Sequence, residues 1–241
     1  MFSGTVLCVP RTEAIRYGAR FLSEQNIRVT EKCAPDVTHV LLPVPSFSRG
    51  DEYLAHLLTG LPDDVIICGG NLNSALLEGY PCLDFLQDPY YLADNAAITA
   101  ECALKILKQQ FQFEPDKKKV LIIGWGRIGK CLCPITKQWG ADVTVAARKV
   151  SDLAMIHALG YNSIPISDTA SETKQFDVIL NTVPVLLFPQ IELKESCIAM
   201  ELASKPGMTG PKIYDARGLP GKIAPMKSGK LIADTFLRLA I

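Results

Sequence analysis

The segment of the chain best suited to chemistry is a glycine-rich turn that follows the apolar run at 120–123. It reads Gly124, Trp125, Gly126, Arg127, Ile128, Gly129. Glycines at this spacing permit a tight turn, let the backbone approach a pyrophosphate and let a helix pack closely on the strand. The following segment is predicted to be helical, and its N-terminus would offer free N–H groups to an anion. With a further strand predicted at 142–147, the pattern favours dinucleotide binding over a bare structural turn.

The residues that end the strand at 142–147 indicate which dinucleotide is bound. An NAD site typically carries Asp or Glu there, to accept hydrogen bonds from the ribose hydroxyls. This chain has Ala146, Ala147, Arg148 and Lys149 instead, and Ser151 follows. A guanidinium can pair with a 2′-phosphate in a planar, charge-assisted contact, and Lys149 and Ser151 could add to it. The alternative is a solvated Arg-Lys turn; the sequence favours NADP over NAD.

Two later loops are expected to complete the dinucleotide site, because they follow the next predicted strands. The cofactor-binding candidates in these loops are Asn181, Thr182, Val183 and Pro184 in "NTVP", and Leu202 and Ala203 in "ELASKPG". A third loop, "GLPGKIAP" at 218–225, comes after them.

Positioning these loops requires a sheet of parallel strands, and the whole chain has that pattern. Short apolar runs alternate with helix-like segments, which predicts an α/β fold with helices on both faces of parallel sheets. The predicted strands are 5–9, 37–44, 64–70, 119–124, 142–147, 176–182 and 197–203. The predicted helices include 11–25, 51–59, 130–139 and 151–159.

A seam in the pattern predicts two domains. Residues 82–95 look irregular, and a long helix, capped by Asn95, is predicted to end at 111. We therefore expect a smaller N-terminal α/β domain at 1–92 and a Rossmann-type, doubly wound parallel sheet in 93–241. Helix 95–111 would bridge them, and the last helix, 226–241, would pack back across the seam. Ligands are expected in the cleft at the carboxyl ends of the strands.

Composition narrows the function classes. The 241 residues carry 25 basic and 25 acidic side chains and a formal net charge of zero, so no basic face suggests nucleic acid. No apolar run approaches the roughly 18–20 residues that cross a bilayer. The eight cysteines form no CxxC pair, so we expect reduced thiols, no metal site and a cytoplasmic protein. The three histidines, His39, His56 and His157, lie in structural or surface contexts and offer no general base.

Several motifs together resemble the A subunit of dipicolinate synthase, over about residues 90–241. These are "NAAITAECAL", "VLIIGWGRIGK", "VTVAARK", "FDVILNTVP", "ELASKPG" and "GLPGKIAPMKSGKLIA". Three features depart from the family pattern. Glu201 stands where the family usually has Asp, Met208 replaces a second glycine after "KP", and the N-terminal domain is shorter.

The resemblance implies an NADP-dependent oxidoreductase of sporulation that oxidises dihydrodipicolinate to dipicolinate. A flavoprotein-like B subunit would be a partner, and such proteins often pair as homodimers. A dicarboxylate substrate needs cationic and hydroxyl donors. The catalytic candidates are Lys205 and Lys222. The substrate-binding candidates are these two lysines together with Ser46, Ser48, Arg49, Asn95, Thr99 and Ser204.

Two other functions stay open on the sequence. One is a different NADP-dependent dehydrogenase that acts on a small carboxylic acid. The other is a non-catalytic module that binds NADP(H) and acts by docking a partner protein. Turnover of candidate dicarboxylates, with and without a flavoprotein partner, would separate these functions.

Overall fold

The computed structural model describes residues 2–47, 52–62 and 64–240. Two of the predicted substrate contacts, Ser48 and Arg49, lie outside these residues. The chain divides into two compact units. Unit 1 consists of Met1–Asn95 together with Pro220–Ile241, and unit 2 consists of Ala96–Leu219.

Unit 1 is built on a five-stranded parallel sheet with the strand order β2-β1-β3-β4-β5. Its strands are β1 (Thr5–Cys8), β2 (Arg28–Thr30), β3 (Val37–Leu41), β4 (Ile66–Gly69) and β5 (Cys82–Asp84). Its helices are α1 (Glu13–Glu24), α2 (Glu52–Leu58), the first turns of α3 (Pro89–Gln109), most of α7 (Leu219–Ile223) and α8 (Pro225–Ala240). The apolar side chains of the central strands are buried and form much of the hydrophobic core of this unit.

The last helix belongs to unit 1. The predicted bounds place 226–241 with the second domain, although they also have this helix pack back across the seam. Helix α8 packs against α1, and the two backbones approach closely because both carry glycine at the crossing. A Cβ added to Gly229 would stand 2.4 Å from the Ala14 carbonyl oxygen, and one added to Gly18 would stand 3.3 Å from the Gly229 carbonyl oxygen. The chain therefore returns to complete unit 1 after it has passed through unit 2.

Unit 2 is built on a six-stranded parallel sheet with the order β11-β10-β9-β6-β7-β8. The strands are β6 (Lys119–Ile123), β7 (Asp142–Ala147), β8 (Asn162–Pro165), β9 (Val178–Asn181), β10 (Ile198–Glu201) and β11 (Ile213–Asp215). The helices are the remainder of α3, α4 (Arg127–Gln138), α5 (Val150–Ala158) and α6 (Thr169–Glu172). Counted within the unit, the order is 3-2-1-4-5-6, that of a Rossmann fold, and it reverses between β6 and β9. The predicted fold class is confirmed.

Helix α3 begins earlier than the sequence indicated. Residues 82–95 are not irregular throughout, since the helix starts at Pro89 and runs through Asn95. Proline suits the first helical position, and the Asp88 carboxylate accepts a hydrogen bond from the Tyr91 N–H at 2.6 Å. Asp88 is thus the cap, and Asn95, predicted to be the cap, lies inside the helix.

Candidate functional site

The glycine turn between β6 and α4 is held by two close backbone approaches. Gly124 has a φ of +105°, and its N–H donates to the Ala146 carbonyl of β7 at 2.9 Å. A Cβ on Gly124 would stand 2.6 Å from Thr182 Oγ1, and one on Gly129 would stand 2.1 Å from the Gly124 carbonyl oxygen. The first and last glycines of the motif are therefore required by the packing of the protein itself.

The middle glycine is different, because no described residue packs where its side chain would stand. A Cβ on Gly126 would meet no atom of the described residues within 4 Å, and its φ of −83° is open to any residue. Gly126 is the N-cap of α4, and no side chain of the described residues caps the N–H groups of that helix. Open space in front of an uncapped helix N-terminus, next to a strand end, is what a pyrophosphate needs. The turn therefore fits a dinucleotide.

The other residues of the motif lie at the surface of this turn. Trp125 is half-buried, and its ring centroid lies 6.5 Å from that of Tyr161. Lys130 Nζ lies 5.7 Å from the Trp125 ring centroid. Arg127 is exposed in the first turn of α4, and Ile128 is partly buried.

A cationic surface follows the end of β7, beside the glycine turn. Ala146 and Ala147 are buried, whereas Arg148, Lys149 and Ser151 are exposed. Within the described part of the chain, neither Arg148 nor Lys149 forms an ion pair. The acidic residue that follows them, Asp152, comes only in the first turn of α5. The strand therefore ends without the carboxylate typical of an NAD site, with two cations available to a phosphate.

The strand ends of unit 2 form one row across the sheet. Ala146 pairs with Ile123, Ile123 with Asn181, and Asn181 with Glu201. The loops that follow these residues therefore emerge side by side at the carboxyl edge, where the strand order reverses.

The "NTVP" loop lies against the glycine turn, but its side chains face different ways. Thr182 donates through its N–H and its hydroxyl to the Ile123 carbonyl, at 2.9 and 2.8 Å. Asn181 is fully buried, and its amide nitrogen donates to Glu201 and to the Val183 carbonyl. Val183 is partly buried and Pro184 is exposed. The Asn181 side chain thus faces the protein, and only its neighbours reach the surface.

A buried carboxylate organises the "ELASKPG" loop, and sequence reasoning did not single it out as a site residue. Glu201 is 3% exposed and accepts hydrogen bonds from the Asn181 amide at 2.8 and 2.9 Å. It also accepts from the N–H groups of Ala203 at 3.0 Å, Gly207 at 2.8 Å and Met208 at 3.0 Å. An acid that directly ends a buried strand is the signal that could have indicated this cluster, because a buried carboxylate requires donors.

The same loop presents the predicted lysine. Leu202 and Ala203 are buried, and their N–H groups donate to the Asn181 carbonyl and to the Glu201 carboxylate. Ser204, Lys205 and Pro206 are exposed between these anchors and the buried Gly207.

The remaining predicted substrate contacts lie in other parts of the fold. Lys222 is exposed in α7 and belongs to unit 1. The Ser46 hydroxyl, also in unit 1, donates to the Pro43 carbonyl and accepts from the Gly70 N–H, at 2.8 and 3.0 Å. Asn95 is half-buried and Thr99 is buried, both within α3. Their roles as ligand contacts stay predictions.

Other reactive groups do not assemble a second centre in the described residues. All eight cysteines are free thiols, and burial raises the pKa of Cys8 and Cys133 to about 12. No group of three or more His, Cys, Asp or Glu side chains in these residues could hold a metal ion. In the same part of the chain, no helix is long and apolar enough to cross a membrane.

Comparison with known proteins supports the resemblance that the motifs indicated. No protein-family model matches the chain. The chain is 28% identical over 156 residues to the A subunit of dipicolinate synthase from Bacillus subtilis (strain 168). This match covers 60% of the chain and 52% of that protein, about half the length of the curated relative.

Solved structures give the same likeness over nearly the whole chain. The crystal structure of the A subunit of dipicolinate synthase from Bacillus halodurans superposes with a TM-score of 0.81 at 24% identity, covering 98% of this chain and 97% of that one. The B. subtilis structure gives 0.80 at 20%, with 100% and 96% covered. An L-alanine dehydrogenase gives 0.65 at 13%, with 92% and 76% covered. The chain thus has an oxidoreductase-like fold, and the resemblance to the A subunit of dipicolinate synthase is confirmed.

Proposed function

We propose that the chain binds NADP at the carboxyl edge of the unit 2 sheet and acts as an NADP-dependent oxidoreductase. The observation that carries this proposal is the glycine turn. Gly124 and Gly129 are held by protein contacts, whereas Gly126 faces open space at an uncapped helix N-terminus. A pyrophosphate on the N–H groups of α4 explains why glycine stands there.

The preference for the 2′-phosphorylated dinucleotide rests on Arg148 and Lys149. Both are exposed at the end of β7, and no carboxylate ends that strand to repel a phosphate. Arg148 binds the phosphate through its planar guanidinium, and Lys149 and Ser151 add a charge and a hydroxyl.

The proposed substrate is dihydrodipicolinate, a choice that rests on the likeness to the A subunit of dipicolinate synthase. NADP supplies the hydride acceptor, and the ring also loses one proton as it becomes aromatic. Because aromatisation is strongly favourable, the protein mainly has to orient the two rings. Lys205 and Ser204, exposed beside the strand ends, bind a substrate carboxylate. The proposed partners are a second copy of the chain and a flavoprotein-like protein.

Titration of the wild-type chain and of Arg148→Ala with NADPH and with NADH tests the cofactor. A charge-assisted hydrogen bond contributes about 1.5–3 kcal/mol, so we expect NADPH affinity to fall roughly 10- to 100-fold in the variant. NADH affinity should change little, because NADH lacks the phosphate. A wild-type chain that binds neither nucleotide would show that the glycine turn is structural.

Oxidation of dihydrodipicolinate, followed by NADPH absorbance with and without a flavoprotein-like partner, tests the substrate. We expect Lys205→Ala to raise KM roughly tenfold or more while NADPH affinity is retained, since one carboxylate loses its cation. Lys212→Ala is the matched control, because Lys212 is exposed in the same unit but precedes β11, at the opposite edge of the sheet. A KM that stays unchanged in Lys205→Ala would contradict this placement of the carboxylate site.

A further inference from the structure

We propose that Glu201 is a positioning residue for the nicotinamide half of the site. Its buried carboxylate holds the loop at 202–208 in the shape that presents Ser204, Lys205 and Pro206. The inference rests on the proposed function, and it assigns a role to a side chain that touches neither cofactor nor substrate.

The first support is the way the two ends of the loop converge on one carboxylate. Oε1 accepts from the Ala203 N–H, and Oε2 accepts from the N–H groups of Gly207 and Met208. These donors lie before and after the exposed residues. Since both ends are fixed to the same group, the three residues between them must project outward at a defined height above the sheet.

The second support is a series of contacts from this loop to the glycine turn. A Cβ on Gly207 would stand 2.4 Å from both Asn181 Nδ2 and the Val183 carbonyl oxygen. A Cβ on Gly124 would stand 2.7 Å from Val183 Cγ2. The loop that carries Lys205, the "NTVP" loop and the glycine turn therefore pack on one another in sequence. A shift of the loop that carries Lys205 is therefore transmitted to the "NTVP" loop.

The third support is the place of this loop in the sheet order. A Rossmann fold consists of two mononucleotide-binding halves that meet where the strand order reverses. Strands β6, β7 and β8 carry the half that includes Arg148, and β9 and β10 belong to the other half. With the pyrophosphate on the glycine turn, the nicotinamide end extends over the ends of β9 and β10, where Glu201 fixes the loop.

The donors around Glu201 also make its role testable by an isosteric change. Among the described residues, its hydrogen bonds come from an amide nitrogen and three backbone N–H groups, all of them neutral donors, while its charge helps to raise the pKa of Arg217. Glu201→Gln keeps the shape but turns an NH₂ group toward donors, which cannot accept it. One end of the loop should then be released while the sheet below it stays folded.

The test compares two ligands that differ only in the nicotinamide base: NADPH and 2′-phospho-ADP-ribose. For Glu201→Gln in the full chain, we expect NADPH affinity to fall tenfold or more and 2′-phospho-ADP-ribose affinity to stay within twofold of wild type. The fluorescence of bound NADPH, which reports on the nicotinamide ring, should shift toward that of free NADPH. Glu195→Gln, at an exposed position ahead of β10, is the matched control and should behave as wild type.

Glu201→Asp provides a second variant if Glu201→Gln does not fold. It keeps the charge but is one methylene shorter, so it should keep the nearby Ala203 donor and lose those of Gly207 and Met208. We expect a partial rescue, with an NADPH affinity between those of wild type and Glu201→Gln. If the variant that folds loses affinity equally for both ligands, or for neither, the positioning role of Glu201 is overturned. A wild-type chain that binds neither ligand would overturn the proposed function as well.

Discussion

Three glycines within six residues meet three different demands in the turn after β6. Gly124 needs a left-handed backbone, with a φ of +105°, and Gly129 needs the space beside the Gly124 carbonyl. Gly126 needs neither, since it has an ordinary φ and empty space where a Cβ would stand. A substitution at Gly124 therefore tests backbone conformation, one at Gly129 tests packing, and one at Gly126 tests the approach of a ligand.

Gly126→Ala and Gly129→Ala should separate folding from binding. Gly126→Ala should cost at most about 1 kcal/mol, since alanine is only a poorer N-cap. Its NADPH affinity should nevertheless fall tenfold or more, because the methyl group would occupy the proposed pyrophosphate site. Gly129→Ala should lower the free energy of unfolding by about 1–3 kcal/mol through overpacking. Urea denaturation measures the free energy of unfolding, and titration measures the NADPH affinity. Unchanged NADPH binding in Gly126→Ala would contradict the placement of the pyrophosphate at this turn.

At the residue scale, the sequence suggests roles for residues whose type and position define their chemistry. It does not suggest roles that depend on a contact with another side chain in the folded protein. The glycines and Arg148 can be proposed as cofactor contacts from the sequence, because residue type and spacing alone suggest their chemistry. Asn181 is predicted from its position to bind the cofactor, yet its side chain turns inward to Glu201. Two departures from the family pattern, Glu201 and Met208, are joined by a hydrogen bond of 3.0 Å. Neither contact can be predicted before the loop between them is folded.

At the scale of elements, burial decided which strands could be predicted. All seven predicted strands are present, because each carries an apolar run that is buried in its sheet. The four unpredicted strands, β2, β5, β8 and β11, are the edges of the two sheets. They have three or four residues and are largely exposed or half-buried, so they carry no apolar run.

The start of α3 is fixed by one side chain with two roles. Asp88 caps the helix through the Tyr91 N–H and forms a two-bond ion pair with Arg238 of α8, at 2.8 and 2.7 Å. The hydrogen bonds from Arg238, together with the backbone N–H groups, hold the pKa of the Asp88 carboxyl below its ordinary value. A lowered folded-state pKa stabilises the protein above the unfolded value of about 3.9, and this stabilisation is lost as pH falls through the folded value.

Variants of Asp88 should separate the cap from the charge. Asp88→Asn keeps a good N-cap but removes the ion pair, and Asp88→Ala should cost about 1 kcal/mol more because it also removes the cap. Wild type should lose stability more steeply than Asp88→Asn as pH falls below about 4. Asp234→Asn, which breaks an exposed pair with Lys230, is the control and should cost less than about 0.5 kcal/mol. Parallel acid profiles for wild type and Asp88→Asn would refute the charge effect.

For the whole molecule, the sequence indicated two parallel-sheet units but not how the chain is shared between them. An amphipathic pattern at 226–241 shows that the last helix buries one face, and it does not show on which sheet. The answer depends on the close approach of Gly229 to α1, between residues more than two hundred positions apart in the chain. Such a contact leaves no local pattern, so the predicted bounds keep the last helix in the second domain while predicting that it packs back across the seam; in the structure it belongs to unit 1.

The return of α8 to unit 1 also sets an order for biosynthesis. As the chain leaves the ribosome, Met1–Asn95 emerges before Ala96–Leu219 and still lacks the helix that covers α1. All of Ala96–Leu219 is made before that helix appears, which takes on the order of 10 s at typical rates of translation. Unit 2 can therefore fold while unit 1 is still incomplete. During that interval the face of α1 that α8 later covers stays exposed.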